Sequence, residues 1–435
     1  GFVAKRFGSL KVFFIFSLLF VIFSIVCGIS NSITQMFSGR FLQGICSGFV
    51  ITTSQQLFVN VLGTERKNFA LAIWGSAISF GPLTGPIVGA WLTDAFGWPW
   101  IFFINVPIVL ICLMFFDYKS LFDSAEEKPS FNFFALLCAG TFFASLQYQI
   151  DFGEQLMWYQ SPLMKAAFVI SIISVVLFPF LNKHKGAYLL DFSLFRNRQY
   201  AMGTTIITVG NGLIMSSLLY FPVWLQRSYG MPIFEAGLVV ASSSLLSVFL
   251  APIVGKKLQP KYFEWAIVFS LLVLATSFSL MSLFRLESSM LAMMLPRILF
   301  GLGTTLFYIP LTAFSLSTLP HEKMVSANSL SLLLRVVFAN IFIGASFVLL
   351  SKYQYFAYDN YVSAIDRFFI NRFSDKDFPH LDWVMRKSST EVLSNIFLFS
   401  ALICACMAIP IMLLKTTSLL VAKKEKLKAQ NSFAS

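Results

Sequence analysis

Three arginines stand inside apolar runs of this 435-residue chain: Arg40, Arg297 and Arg335. A guanidinium in hydrocarbon costs several kcal/mol, so each must turn toward protein or water and find a partner there. Arg40 lies in Gly39-Arg40-Phe41-Leu42-Gln43-Gly44 and Arg297 in Pro296-Arg297-Ile298-Leu299-Phe300-Gly301. Each is followed four residues later by a glycine, which on a helix leaves that face open to a close neighbour or a wet pocket. Proton relay or gating is one role open to all three. The plain alternative is an arginine that snorkels along its own aliphatic stem to the interface.

Proton chemistry also needs a group that titrates near neutral pH inside the spans. All twenty acidic residues fall in loops or at span ends, Asp94, Glu235 and Glu264 included, and His184, His321 and His380 fall in loops. Either coupling uses helices beyond this sequence, or the sequence does no coupling. Polar residues able to line a path are Ser54 and Gln55 on the second apolar run, Asn211 and Tyr220 on the seventh and Tyr308 on the tenth. Serine in a membrane helix often bonds only its own backbone, so Gln55, Asn211 and Tyr308 carry more of this reading. An apolar, aromatic lining around a few such groups suits lipophilic and cationic small molecules, held by stacking rather than by fitted hydrogen bonds.

Other chemistries find no support. The six cysteines lie within apolar runs and have neither the CxxC nor the Cys/His spacing of a redox or metal site. There is no GxxxxGK[ST] phosphate loop, GxSxG elbow or HExxH helix, so the expectation is a protein without cofactor, metal or enzymatic activity. The net charge of +12 is spread over short segments between apolar runs, which is a topology signal and not a nucleic-acid surface.

These residues must be positioned by membrane helices. With 57% hydrophobic and only 12% charged residues, the chain cannot build a soluble surface. Runs long enough to cross about 30 Å of hydrocarbon lie near 10–28, 34–58, 68–92, 100–116, 131–148, 163–181, 200–221, 234–254, 263–284, 290–315, 327–350 and 393–414. With Gly1–Lys11 inside, the cytoplasmic side collects twenty Lys and Arg against three in the short outer loops, which also places the C-terminus in the cytoplasm. The stretch 351–391 then reads as a long hydrated external loop.

Within the third run, Gly81, Gly85 and Gly89 form a bare stripe on one helix face, and Pro82 and Pro86 each remove a helical hydrogen bond. The combination predicts a kinked, close-packed joint. Two halves are related by an offset of 257 residues: Leu62-Gly63-Thr64-Glu65-Arg66 matches Leu319-Pro320-His321-Glu322-Lys323, Arg40 matches Arg297, and Gly44 matches Gly301. The stripe has no such counterpart, since Gly81, Gly85 and Gly89 map onto Phe338, Phe342 and Ser346. By the same offset two spans should precede Gly1, which predicts a fourteen-helix parent of which twelve helices are present. The expected domains are an N-terminal bundle (1–116), a two-helix insert with its flanking loops (117–199), a C-terminal six-helix bundle (200–414) and a basic cytoplasmic tail (415–435).

The chain thus resembles the major facilitator superfamily, and within it the fourteen-helix drug:proton antiporter branch of EmrB/QacA type. The loop Gly1-Phe2-Val3-Ala4-Lys5-Arg6-Phe7-Gly8 is similar to the superfamily's cytoplasmic loop motif, with Lys5 where most members have Asp. Arg40, Gln43 and Gly44 resemble its fourth-helix motif, and the Gly81, Pro82, Gly85, Pro86 and Gly89 pattern its antiporter motif. Trp100-Ile101-Phe102-Phe103-Ile104-Asn105-Val106-Pro107 resembles the branch's sixth-helix start, and Leu190-Asp191 with Leu194-Phe195-Arg196-Asn197-Arg198 its lead into the ninth. The resemblance implies an all-α, two-bundle transporter that exports lipophilic drugs across a bacterial inner membrane by proton antiport. It also implies a proton carboxylate on the first helix, and a periplasmic adaptor and an outer-membrane channel as partners. The alternatives are export of one metabolite, siderophore or peptide, or a truncated, non-functional transporter.

Overall fold

Hydrocarbon offers no partner to a backbone N–H or C=O, so apolar runs of this length close their hydrogen bonds internally, as helices. A computed structural model of the chain describes residues 3, 7–62, 74, 81, 85, 88–115, 133–153, 156–184, 187–188, 190–369 and 379–432. Among them, eight helices are long and apolar enough to cross a membrane. The described parts of the expected runs at 100–116, 131–148 and 234–254 are mainly helical without being among those eight, and most of the run at 68–92 lies outside the described residues.

The chain forms two compact units, Gly1–Leu136 with Phe180–Leu189, and Leu137–Pro179 with Leu190–Ser435. In the first, α1 (Ser9–Gly28) and α2 (Ile33–Leu62) pair, and α3 (Trp100–Phe103) with α4 (Asn105–Met114) packs on α1. Gly8 precedes α1 at φ 89°, a left-handed conformation that glycine adopts without strain. The break between α3 and α4 at Ile104 has a local cause: Pro107 donates no N–H to the Phe103 carbonyl one turn back. Gly28 lets the Phe103 ring lie against α1, where a Cβ would collide with it.

α5 (Phe133–Phe152) and α6 (Pro162–Asn182) follow, joined by hydroxyl pairs: Ser145 with Ser171 at 2.7 Å and Thr141 with Ser174 at 3.1 Å. The described residues are otherwise mainly helical, and the one strand pairing among them is a two-residue antiparallel hairpin, β1 (Lys183–His184) with β2 (Ala187–Tyr188). In the second unit come α7 (Arg198–Trp224), α8 (Ile233–Ala241), α9 (Ser244–Lys257), α10 (Phe263–Met281), α11 (Met290–Leu316), α12 (His321–Phe369) and α13 (Pro379–Ser432), and all of them but α9 bring side chains to one apolar core. Phe221, Phe278, Phe284, Phe300 and Phe397 pack ring to ring at its centre.

Two expectations change. The run 234–254 is not one helix, because Ser242 and Ser243 bond back to the carbonyls of Val239 and Val240 and the chain turns there between α8 and α9. The described parts of 351–391 are helical, since α12 continues to Phe369 and α13 begins at Pro379. The repeat is visible in the elements themselves. Moving α1 and α2 forward by 257 residues gives 266–285 and 290–319, where α10 and α11 lie, and each pair packs together.

Candidate functional site

In the first unit, polar side chains from three helices meet at Ser24. Its hydroxyl donates to the Phe102 carbonyl at 2.9 Å and accepts from Gln43 Nε2 and Asn105 Nδ2, each at 3.1 Å. Gln43 Oε1 in turn accepts from Arg40 Nη1 at 3.3 Å, and the Arg40 guanidinium sits 4.5 Å from the centre of the Phe102 ring. Arg40 therefore meets an amide and an aromatic face. Further along α2, Ser54 donates to its own backbone at Ile51 and accepts from Trp74 Nε1 at 3.0 Å, while Gln55 is half-buried. Gly44 faces open space, with no described atom within 4 Å of a Cβ built there.

In the second unit the arginines sit differently. Arg297 has no exposed surface; Nη1 donates to Ser217 Oγ at 3.1 Å and lies 4.0 Å from Met281 Sδ. Its guanidinium stacks 4.6 Å from the Phe300 ring and 5.2 Å from Phe221, and its Nε and Nη2 have no hydrogen-bond partner among the described residues. Gly301, one turn on, admits the Ser243 carbonyl so closely that a Cβ would overlap it, and Ser247 Oγ donates to the Gly301 carbonyl at 2.9 Å. The open face expected beside Arg297 is thus filled by a helix end.

Asn211, Tyr308 and Arg335, placed on separate spans by the sequence, come together. Tyr308 donates its hydroxyl to Asn211 Oδ1 at 2.8 Å, Asn211 Nδ2 donates to the Arg335 carbonyl at 3.0 Å, and Arg335 Nη2 donates to Thr312 Oγ1 at 3.2 Å. Asn211 thereby ties α7 to both α11 and α12. Tyr220 stands apart from this group, buried edge-on to Phe347, its hydroxyl without a partner among the described residues. On α12, Phe342 covers Gly212, and Ser346 pairs with Ser216 at 2.6 Å.

Of the loop motif, Gly1, Lys5 and Arg6 lie outside the described residues, as do Pro82 and Pro86. Gly81, Gly85 and Gly89 are helical; a Cβ at Gly85 would meet no described atom within 4 Å, and one at Gly89 only Ile101 Cγ2 at 3.7 Å. Ser217 on the seventh run and Thr312 on the tenth stand among the polar residues that the sequence offers as path lining, whereas Ser24 and Asn105 were not singled out from it as site residues. Only Asn105 carried a signal, as a polar residue inside the run Trp100–Pro107. No group of three or more His, Cys, Asp or Glu among the described residues could hold a metal ion.

The profile of the Major Facilitator Superfamily matches residues 1–343. The multidrug export protein EmrB of Escherichia coli strain K12 is 30% identical over 344 residues, covering 78% of this chain and 67% of that protein. The probable multidrug resistance protein EmrY of the same strain is 26% identical over 411 residues, covering 92% and 80%. Among solved structures, a bacterial homolog of the human lysosomal transporter Spinster, inward-facing and occupied, superposes with a TM-score of 0.55 at 11% identity, covering 92% of this chain and 82% of that one. At that identity the likeness is one of fold.

Proposed function

Because the chain belongs to the Major Facilitator Superfamily, we propose that it is a multi-pass inner-membrane transporter that exports lipophilic small molecules by proton antiport, in the manner of an EmrB-type multidrug pump. The observation that carries this is the 30% identity to a multidrug export protein across two thirds of that protein's length. A relative 26% identical over 92% of the chain, itself named for multidrug resistance, favours broad export over one metabolite. The domain division at 116, 199 and 414, the fourteen-helix parent, the cytoplasmic C-terminus and the adaptor and outer-membrane channel belong to this proposal.

Within it, Arg40 is the coupling residue of the first unit. Its support is that it lies at a unit surface, with Gln43 and Phe102 holding it while its remaining donors have no hydrogen-bond partner among the described residues. Asn211, Tyr308 and Arg335 are the polar floor of the substrate path, and Ser54, Gln55 and Tyr220 belong to its lining. Gly81, Gly85 and Gly89 give export its bare, adjustable helix face. A bacterial host stripped of its own pumps tests the reading. The full-length protein should lower cellular accumulation of several unrelated lipophilic dyes, and a protonophore should abolish that effect. The Arg40→Ala protein should reach the membrane in equal amount yet leave accumulation at the level of the empty host. Dye export that persists without a proton gradient would sink the antiport reading.

A further inference from the structure

The Ser24 hydroxyl has one proton to donate and room for two incoming donors, and all three capacities are used. The side chain is completely buried, and Gln43 is nearly so at 4% exposure. Phe102 closes the circuit: its carbonyl takes the Ser24 proton and its ring takes the Arg40 cation. Asn105, Ser24 and Gln43 thus form a fixed line of hydrogen bonds from α4 through α1 to α2, ending on the Arg40 guanidinium.

The second unit supplies an internal control. Adding 257 to Ser24, Arg40 and Gln43 gives Met281, Arg297 and Phe300. Those residues stand in the same mutual contact, with Met281 Sδ 4.0 Å from Arg297 Nη1 and the Phe300 ring 4.6 Å from its guanidinium. The same helix pair therefore packs around an arginine with a thioether and a phenyl ring at these positions. Packing alone does not call for a hydroxyl and an amide. A buried polar network is worth retaining where it fixes one geometry, because any partly broken version strands donors in a dry site.

We propose that Asn105 and Ser24 are positioning residues for Arg40: acting through Gln43, they hold its guanidinium in the one orientation from which it couples proton movement to export. The inference rests on the export reading above and adds to it the two residues that hold the coupling arginine. Ser24 is completely buried and reaches Arg40 only through Gln43, so its loss should slow turnover without weakening drug binding.

The test uses the full-length protein in proteoliposomes with an imposed proton gradient, following one exported dye. Ser24→Ala and Asn105→Leu should each lower maximal turnover about tenfold, the scale on which misplaced groups reduce rates, with KM unchanged. Ser24→Thr, which keeps the hydroxyl, should retain turnover. Gln43→Phe, which installs the side chain of the second unit, should fold with an unaltered melting temperature and turn over slowly. Wild-type turnover in Ser24→Ala overturns the inference, and so does a loss in Ser24→Thr equal to that in Ser24→Ala. A loss that tracks the melting temperature and raises KM in parallel also overturns it, since that marks a structural role. If the wild-type protein moves no dye, the export reading falls and this inference falls with it.

Discussion

The two related arginines show how one residue type in one scaffold position takes different environments. Arg40 has an amide, a ring face and an accessible surface; Arg297 has a serine, a sulfur and two rings, with two nitrogens left over. A buried cation without a carboxylate is held by what stacking and one hydroxyl provide, which is less than a paired charge receives. Asn211 is doubly committed, since its amide serves both Tyr308 and the Arg335 carbonyl. Asn211→Leu leaves both without that partner and should destabilise the protein by about 1–3 kcal/mol for each stranded group. Tyr308→Phe takes the partner from Asn211 Oδ1 alone and should cost about half as much. Thermal unfolding in detergent reads both, and equal midpoints for the two variants would show that Asn211 is not the shared tie.

At the scale of the element, glycines that look alike in sequence do different things. Gly301 receives the Ser243 carbonyl, whereas a Cβ at its counterpart Gly44 would meet no described atom within 4 Å. Gly301→Ala should therefore lower the yield of folded protein and cost about 1–3 kcal/mol from overpacking. Gly44→Ala should fold with an unchanged melting temperature, and an equal loss for both would contradict the geometry. The helices themselves were legible, since hydropathy over about 20 residues is a strong signal and the 257-residue offset places α10 and α11 from α1 and α2. The break at Ser242 and Ser243 was not, because serines that bond back to their own helix are nearly neutral in hydropathy. The partners of Arg40 were hidden for another reason. Gln43 lies on its own helix, but Ser24 and Asn105 come from helices whose rotation no run of apolar residues reveals. The helical continuation past residue 350 was masked by its charged composition, which hydropathy reads as loop.

For the whole molecule, the sign of its charge says more about placement than about partners. If Gly1–Lys11 is cytoplasmic, the expected runs put twenty Lys and Arg on that side against three in the short outer loops, and insertion should follow that bias. Alkaline phosphatase, whose disulfides form only outside the cytoplasm, should be inactive when fused after Ser435 and active when inserted between residues 370 and 378. The reverse pattern would invert the topology and with it the direction of transport. The length of α12 bears on how such a machine can be watched at work. At about 1.5 Å per residue, its 49 residues extend far beyond the ~30 Å a bilayer needs. The stretch 351–369 alone projects about 28 Å past the span, so a 10° lean inside the membrane would swing its tip by about 5 Å. On the proposed topology the helix is a pointer whose dial lies in water, and a spin label near its end should register movements of the span too small to measure at the span itself.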